Sequence, residues 1–232
     1  MEHELWLVET INRLFGAPEG QHIIPMQVIM GAVVLLVSFV LFGLLRTRLS
    51  MENPGRLQQV MELAVEFLLT QLDEVVGHGG RRFLNIVGTL AIFILFSNLL
   101  GLVPGFGAPT SNLNVPAGCA IVVFLYYNFQ GMKHQGVVPY LRHLGGPVWW
   151  LAPLMFPIEI ISHLARPFSL TIRLFVNIYA EETLVLVMFT LVALLIPLPF
   201  MALGLFGSIL QTFIFTILTI VYLAGAVATE EH

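Results

Sequence analysis

The sequence predicts an all-α membrane protein with about five membrane-embedded helices, the last two long, steeply tilted and forming a hairpin, plus one interfacial amphipathic helix. Three observations predict it. The 232 residues are 57% hydrophobic and 10% charged, where soluble domains average about 25% charged residues. Apolar runs recur at the length that crosses a hydrocarbon core of about 30 Å. Charges inside the longest run fall on one side of a helix rather than breaking it into loops. The whole chain, 1–232, reads as a single membrane domain.

The elements follow in order. Residues 1–25 form an external amino-terminal segment, and its acidic start, Met1-Glu2-His3-Glu4, lacks the positive region of a signal peptide and is expected to be retained. Residues 26–45 are an uninterrupted apolar run, the first span. Arg46, Arg48, Arg56, Arg81 and Arg82 all lie between this span and the next; clustered arginines mark the cytoplasmic side, so the amino terminus is expected outside. Residues 54–76 open at Asn53-Pro54 and carry Leu57, Val60, Met61, Ala64, Leu68, Leu72 and Val75 at helical spacing, with Gln58, Glu62, Glu66 and Asp73 between them. This pattern predicts an amphipathic helix along the cytoplasmic interface, ended by Gly77, Gly79 and Gly80.

Residues 83–103 make the second span, with Asn85, Ser97 and Asn98 inside it, and leave through an irregular external loop from Pro104 to Pro109. Residues 115–132 return as the third span, followed by Lys133, His134, Arg142 and His143, again a cytoplasmic signal. Residues 148–196 are apolar but interrupted by Pro153, Pro157, Glu159, His163, Arg166, Pro167 and Arg173. As one helix this stretch would measure about 70 Å, so it must tilt or break. Residues 198–228 form the final tilted helix before Glu230-Glu231-His232. If 148–196 is one unit the carboxyl terminus is cytoplasmic; if Arg166-Pro167 is a hairpin turn it is external. The continuous form is the expected one.

Composition also narrows function. The net charge of −4 is small and Lys133 is the only lysine, so no nucleic-acid partner is expected. Cys119 is the single cysteine and the histidines are isolated; no disulfide, metal or cofactor is expected. What remains is intramembrane charge. At about 100° per residue, Glu159, Ser162, His163, Arg166, Ser169, Arg173, Asn177 and Glu181 project within about 120° of one another, while Glu182 points well away. Ser208, Gln211, Thr212, Thr219 and Tyr222 share one side of the last helix, and the two polar faces can oppose each other. Charges in a membrane face a bundle interior, a partner or water. An arginine there is a fixed cation, because it does not deprotonate. The structural alternative pairs Arg166 with Glu159 or with lipid phosphate, and Arg173 with Glu181; for His163 it is a hydrogen-bonded interior position, and for the last helix's Ser, Thr and Gln, interhelical hydrogen bonds.

The string from Arg166 to Glu182, RPFSLTIRLFVNIYAEE, resembles the defining motif of the a subunit of F-type ATP synthase, bacterial type. The string from Leu210 to Leu223, LQTFIFTILTIVYL, resembles that family's carboxyl-terminal signature. Weaker matches at Asn98–Pro104 and Pro109–Val115 extend the likeness over most of the chain. The resemblance implies a non-catalytic stator subunit of a proton-translocating ATP synthase in the bacterial inner membrane. It would lie against a ring of c subunits, be held by peripheral-stalk b subunits within membrane lipid, and reach the F1 sector through the stalk. It would provide two offset half-channels. Arg173 takes the place of the motif arginine, the essential ion-translocation residue, Asn177 its polar neighbour, Glu182 the channel carboxylate, Gln211 the facing residue on the last helix, and Glu159 a further channel group. Glu181 and Ser208 join these as half-channel or relay candidates, with His163, Arg166, Ser169 and Tyr222 as further candidates.

Two departures from the family pattern stand out. Glu181 replaces a glycine common before the motif glutamate, and Gly204 stands where some members place a histidine, so a second carboxylate is expected to take over the histidine's part. Asn112 stands where an aspartate is common in the external loop. Other functions fit less well. An ion-coupled secondary transporter using intramembrane Arg and Glu is the alternative, but no repeated half is visible. The motifs of an intramembrane hydrolase are missing, and His163 has no mate for a di-haem site.

Overall fold

The computed structural model describes residues 6–14, 24–50, 54–77, 79–103, 106–137, 139–140, 152–191 and 197–227. Among these, all repeating secondary structure is helical: α1 (Trp6–Leu14), α2 (Met26–Thr47), α3 (Arg56–Val75), α4 (Leu84–Gly101), α5 (Asn114–Gln135), α6 (Ala152–Leu191) and α7 (Pro197–Val227), with 3-10 turns at Gly80–Phe83 and Pro109–Ser111. Four stretches are long and apolar enough to cross a membrane: Met26–Thr47, Gly80–Gly101, Asn114–Gln135 and Leu198–Val227. The protein is an all-α, multi-pass membrane protein.

Local chemistry explains where the helices turn. Pro25 precedes α2 in extended conformation, where its missing N–H costs nothing. Gly77 and Gly79 adopt φ of 78° and 97° after α3, a left-handed geometry that glycine reaches without Cβ strain. The chain then enters the Gly80–Phe83 turn and α4. At the amino terminus, α1 is a helix within what the sequence marked only as an external segment. Buried Asn12 clips it to the start of α2: its Oδ1 accepts the Ile24 N–H at 2.9 Å and its Nδ2 donates to the Val8 and Ile24 carbonyls at 3.0 and 3.3 Å.

The long charged segment is one helix. α6 runs for 40 residues through Pro157 and Pro167, about 60 Å of helix, which cannot stand upright in a core about 30 Å thick. Membrane helices tolerate proline because neighbouring groups and small backbone adjustments satisfy the freed carbonyls. The flanking residues 148–151 and 192–196 lie outside the described ones.

The core gathers where α4, α5, α6 and α7 pack together. Val87 and Ile94, Val123 and Tyr127, Leu170 and Leu174, and Phe215 and Ile220 are its buried contributions from the four helices in turn. α2 stands beside α4 and the Pro109–Ser111 turn. The polar side of α7 enters this core without leaving its threonines unsatisfied, because Thr212, Thr216 and Thr219 each return their hydroxyl to the carbonyl four residues back at 2.8 Å, as buried Ser and Thr do in membrane helices.

Candidate functional site

The polar faces of α6 and α7 meet at Asn177, whose Nδ2 donates to Gln211 Oε1 at 2.7 Å. Gln211 is 3% exposed, so this bond is made where water competes little and an unmade amide would be costly. One turn away is Arg173. Leu170, Leu174 and Ile178 are buried against the core and fix the rotation of α6, which leaves Arg173 exposed beside that face. Among the described residues no hydrogen bond or ion pair engages its guanidinium. The Arg173–Glu181 pair of the structural alternative does not form.

About 12 Å further along α6, at about 1.5 Å per residue, two consecutive carboxylates turn to different neighbours. Glu181 points to α7, against Gly204 and Gly207: a Cβ added at Gly204 would overlap the Glu181 carboxylate, and one at Gly207 would lie 3.4 Å from its Oε2. Glu182 points to the end of α4 and the loop that follows it. Its Oε1 accepts the Ala108 N–H, and a Cβ at Gly101 would lie 2.9 Å from that oxygen. Each carboxylate thus occupies the space of a missing side chain on an adjoining helix. Both line a cavity of about 450 Å³ that also touches Gly101, Phe106, Gly107 and Met201.

Behind this cavity lies a buried polar network. Thr110 Oγ1 donates to Asn98 Oδ1 at 2.7 Å, and Asn98 Nδ2 approaches the Ser208 carbonyl and Thr212 Oγ1, both at 3.5 Å. The two weaker sequence matches, around Asn98 and around Thr110, therefore meet in space. Ser97 and Ser208 are fully buried and, among the described residues, their hydroxyls meet no hydrogen-bond partner, the usual sign of a place where water enters.

A second polar group lies on the other side of Arg173. Glu159, about 21 Å back along α6, faces His163: its Oε1 is 3.4 Å from His163 Nε2. His163 Nδ1 is 3.4 Å from the hydroxyl of Tyr127 on α5, so this histidine is an interior, hydrogen-bonded one. The Arg166 guanidinium lies over the Tyr222 ring at 5.4 Å, a cation–π contact, rather than on Glu159. The Arg166–Glu159 pair does not form; the histidine one turn from Glu159 takes that carboxylate. Ser169 is exposed beside Arg173 and joins neither group.

Sequence reasoning missed Tyr127, Gly101 and the Ala108 N–H, all of which lie on other helices or loops. Only the weak match around Asn98–Pro104 pointed near two of them. Among the described residues no cluster of three or more His, Cys, Asp or Glu side chains is arranged to hold a metal ion.

Comparison with known proteins now bears on this arrangement. The family model described as ATP synthase A chain matches residues 26–224, covering every candidate residue above. An ATP synthase subunit a of Solibacter usitatus (strain Ellin6076) is 50% identical over 218 residues, 93% of this chain and 92% of the relative. One from Koribacter versatilis (strain Ellin345) is 42% identical over 241 residues, 98% of each. ATP synthase subunit a 1 of Syntrophotalea carbinolica is 50% identical over 189 residues, 82% of this chain and 80% of the relative. A match that runs from the first span to the polar side of the last helix, in chains of nearly the same length, leaves one conclusion: this chain belongs to the ATP synthase subunit a family.

Proposed function

We propose that the chain is the proton-translocating stator subunit of an F-type ATP synthase, with Arg173 as an electrostatic barrier between two half-channels that open on opposite membrane faces. The observation that carries this reading is the placement of Arg173: exposed, unpaired among the described residues, and between two polar groups on one helix. A structural arginine in a membrane would be paired; an arginine presented outward with apolar Phe168, Ile172 and Val176 exposed around it suits a passing partner of mixed apolar and acidic character.

The partner is a ring of c subunits, each with one ion-binding carboxylate. Such a carboxylate faces lipid only when neutral, because an ionised group in hydrocarbon is costly. Opposite Arg173 it ionises, since a nearby cation favours the charged form. Each rotor group must then release a proton to one half-channel and take one from the other before it re-enters lipid. Arg173 itself cannot relay a proton, so a continuous wire is blocked and transport requires rotation. Each proton crossing contributes about 2.3 kcal/mol per 100 mV.

Glu181, Glu182 and Ser208 line the external half-channel in this reading, with Glu181 serving in place of the family histidine whose position Gly204 occupies. Glu159, supported by His163 and bordered by Arg166 and Tyr222, lines the cytoplasmic one. Asn177 and Gln211 hold the two long helices in register beside Arg173. The chain is non-catalytic, is held by peripheral-stalk b subunits that lead to the F1 sector, and has its amino terminus outside and its carboxyl terminus in the cytoplasm. The test is Arg173→Ala in the assembled complex, with ATP-driven acidification measured in inverted vesicles. Assembly is expected to persist and acidification to be lost; retained pumping contradicts the barrier role.

A further inference from the structure

Where the end of α2 meets α3, the two helices diverge around an open cavity of about 650 Å³. Leu45 and Leu49 form one wall, and Met61 and Val65 the other. Charges of opposite sign border it: Arg46 on the α2 side, Glu62 and Glu66 on the α3 side. All three are exposed, and among the described residues none is ion-paired. The rim is built rather than incidental. Gln58, only 9% exposed, donates from Nε2 to Glu62 Oε1 at 2.7 Å, and exchanges two further bonds with the Ser50 backbone at 3.0 and 3.1 Å. That clamp fixes both the Glu62 carboxylate and the chain leaving α2.

We propose that this cavity is a binding site for one phospholipid with a zwitterionic, primary-amine headgroup, phosphatidylethanolamine. The apolar walls take an acyl chain by close packing, the chain being already out of water in the bilayer. Arg46 holds the phosphate through its guanidinium. Glu62 and Glu66 accept hydrogen bonds from the ammonium, which a trimethylammonium group cannot donate. Glu62 and Glu66 line the same cavity as Arg46 in the last turn of α2, and basic residues at the end of a span sit where headgroups lie.

The complex containing this chain is reconstituted with equal amounts of phosphatidylethanolamine and phosphatidylcholine, re-extracted, and its retained lipid measured by mass spectrometry. Phosphatidylethanolamine is expected to be preferred, and Glu62→Gln with Glu66→Gln to lower that preference about tenfold, the effect of one charge-assisted hydrogen bond. Arg46→Gln should lower retention of both lipids. Met61→Trp fills the cavity without touching the charges and should also lower both. A photoreactive residue at position 49 is expected to label lipid, and this readout stands even where a charge variant fails to assemble. Equal retention of the two lipids, an unchanged preference in the double variant, or labelling of another protein chain from position 49 overturns the proposal.

Discussion

The Glu181 carboxylate rests against the backbone of Gly204, in the space that a side chain at 204 would need. The carboxylate at 181 and the glycine at 204, which the sequence singled out separately on α6 and α7, therefore share one space. Gly204→Ala is expected to force Glu181 out at an overpacking cost of about 1–3 kcal/mol, and to cut ATP-driven proton pumping severalfold. Gly204→His alone should do worse, whereas Gly204→His combined with Glu181→Gly should recover much of the pumping. Equal loss in the single and double variants would show that the contact has no part in transport.

Glu182 ties α6 to the loop before the Pro109–Ser111 turn through the Ala108 N–H. Removing the acceptor leaves the N–H of buried Ala108 unsatisfied, at about 1–3 kcal/mol. Glu182→Ala is thus expected to lower the thermal stability of the complex and abolish ATP synthesis together. Glu182→Gln keeps a carbonyl acceptor but cannot carry a proton, so it should keep stability and lose synthesis. Synthesis retained in the glutamine variant would make Glu182 a fastener only.

Much of this was legible in the sequence because it depends on period and length. Apolar runs of about twenty residues announce spans, and the 100° rule separates Glu181 from Glu182; in the structure they turn to α7 and to α4 respectively. The opposition of the two polar faces was legible too, and it appears as Asn177–Gln211. What was not legible depends on neighbours far away in sequence. Nothing local says that Gly101 makes room for Glu182 or that Tyr127 meets His163. The sequence paired Glu159 only with Arg166 on its own helix, and the structure gives it another partner. His163, four residues on, takes it and Arg166, seven on, turns to Tyr222, because side chains four apart overlie each other on a helix and a span of seven is two turns.

The continuity of α6 sets a topology. With α6 and α7 as one antiparallel hairpin, the last helix is expected to return to the side that carries Lys133 and His134. A reporter fused after His232 that is active only in the cytoplasm should therefore be active, and a periplasm-dependent one silent. The reverse pattern would require a break in α6.

The Asn177–Gln211 bond is the direct link between the long helices beside Arg173, and its contribution can be isolated. Asn177→Ala leaves the buried Gln211 amide without its partner, and Gln211→Ala leaves the exposed Asn177 amide without its own. A neutral hydrogen bond contributes about 0.5–1.5 kcal/mol net, so the double variant should lose less stability than the sum of the two, by about that amount. Additive losses in thermal unfolding of the complex would mean that the two amides act separately.

Arg173→Lys discriminates between a generic positive charge and the planar, permanent one. Lysine keeps the charge in water, but it is a compact, strongly hydrated ammonium, and in an apolar site it can shed its proton. A neutral amine there would neither drive a rotor carboxylate to ionise nor repel a proton travelling between half-channels. The variant is therefore expected to assemble, to lose most ATP synthesis, and to leak protons across the membrane when the rotor is idle. Synthesis close to that of the unmodified complex, with no leak, would mean that any cation at position 173 suffices and that the guanidinium's refusal to deprotonate is not what separates the two half-channels.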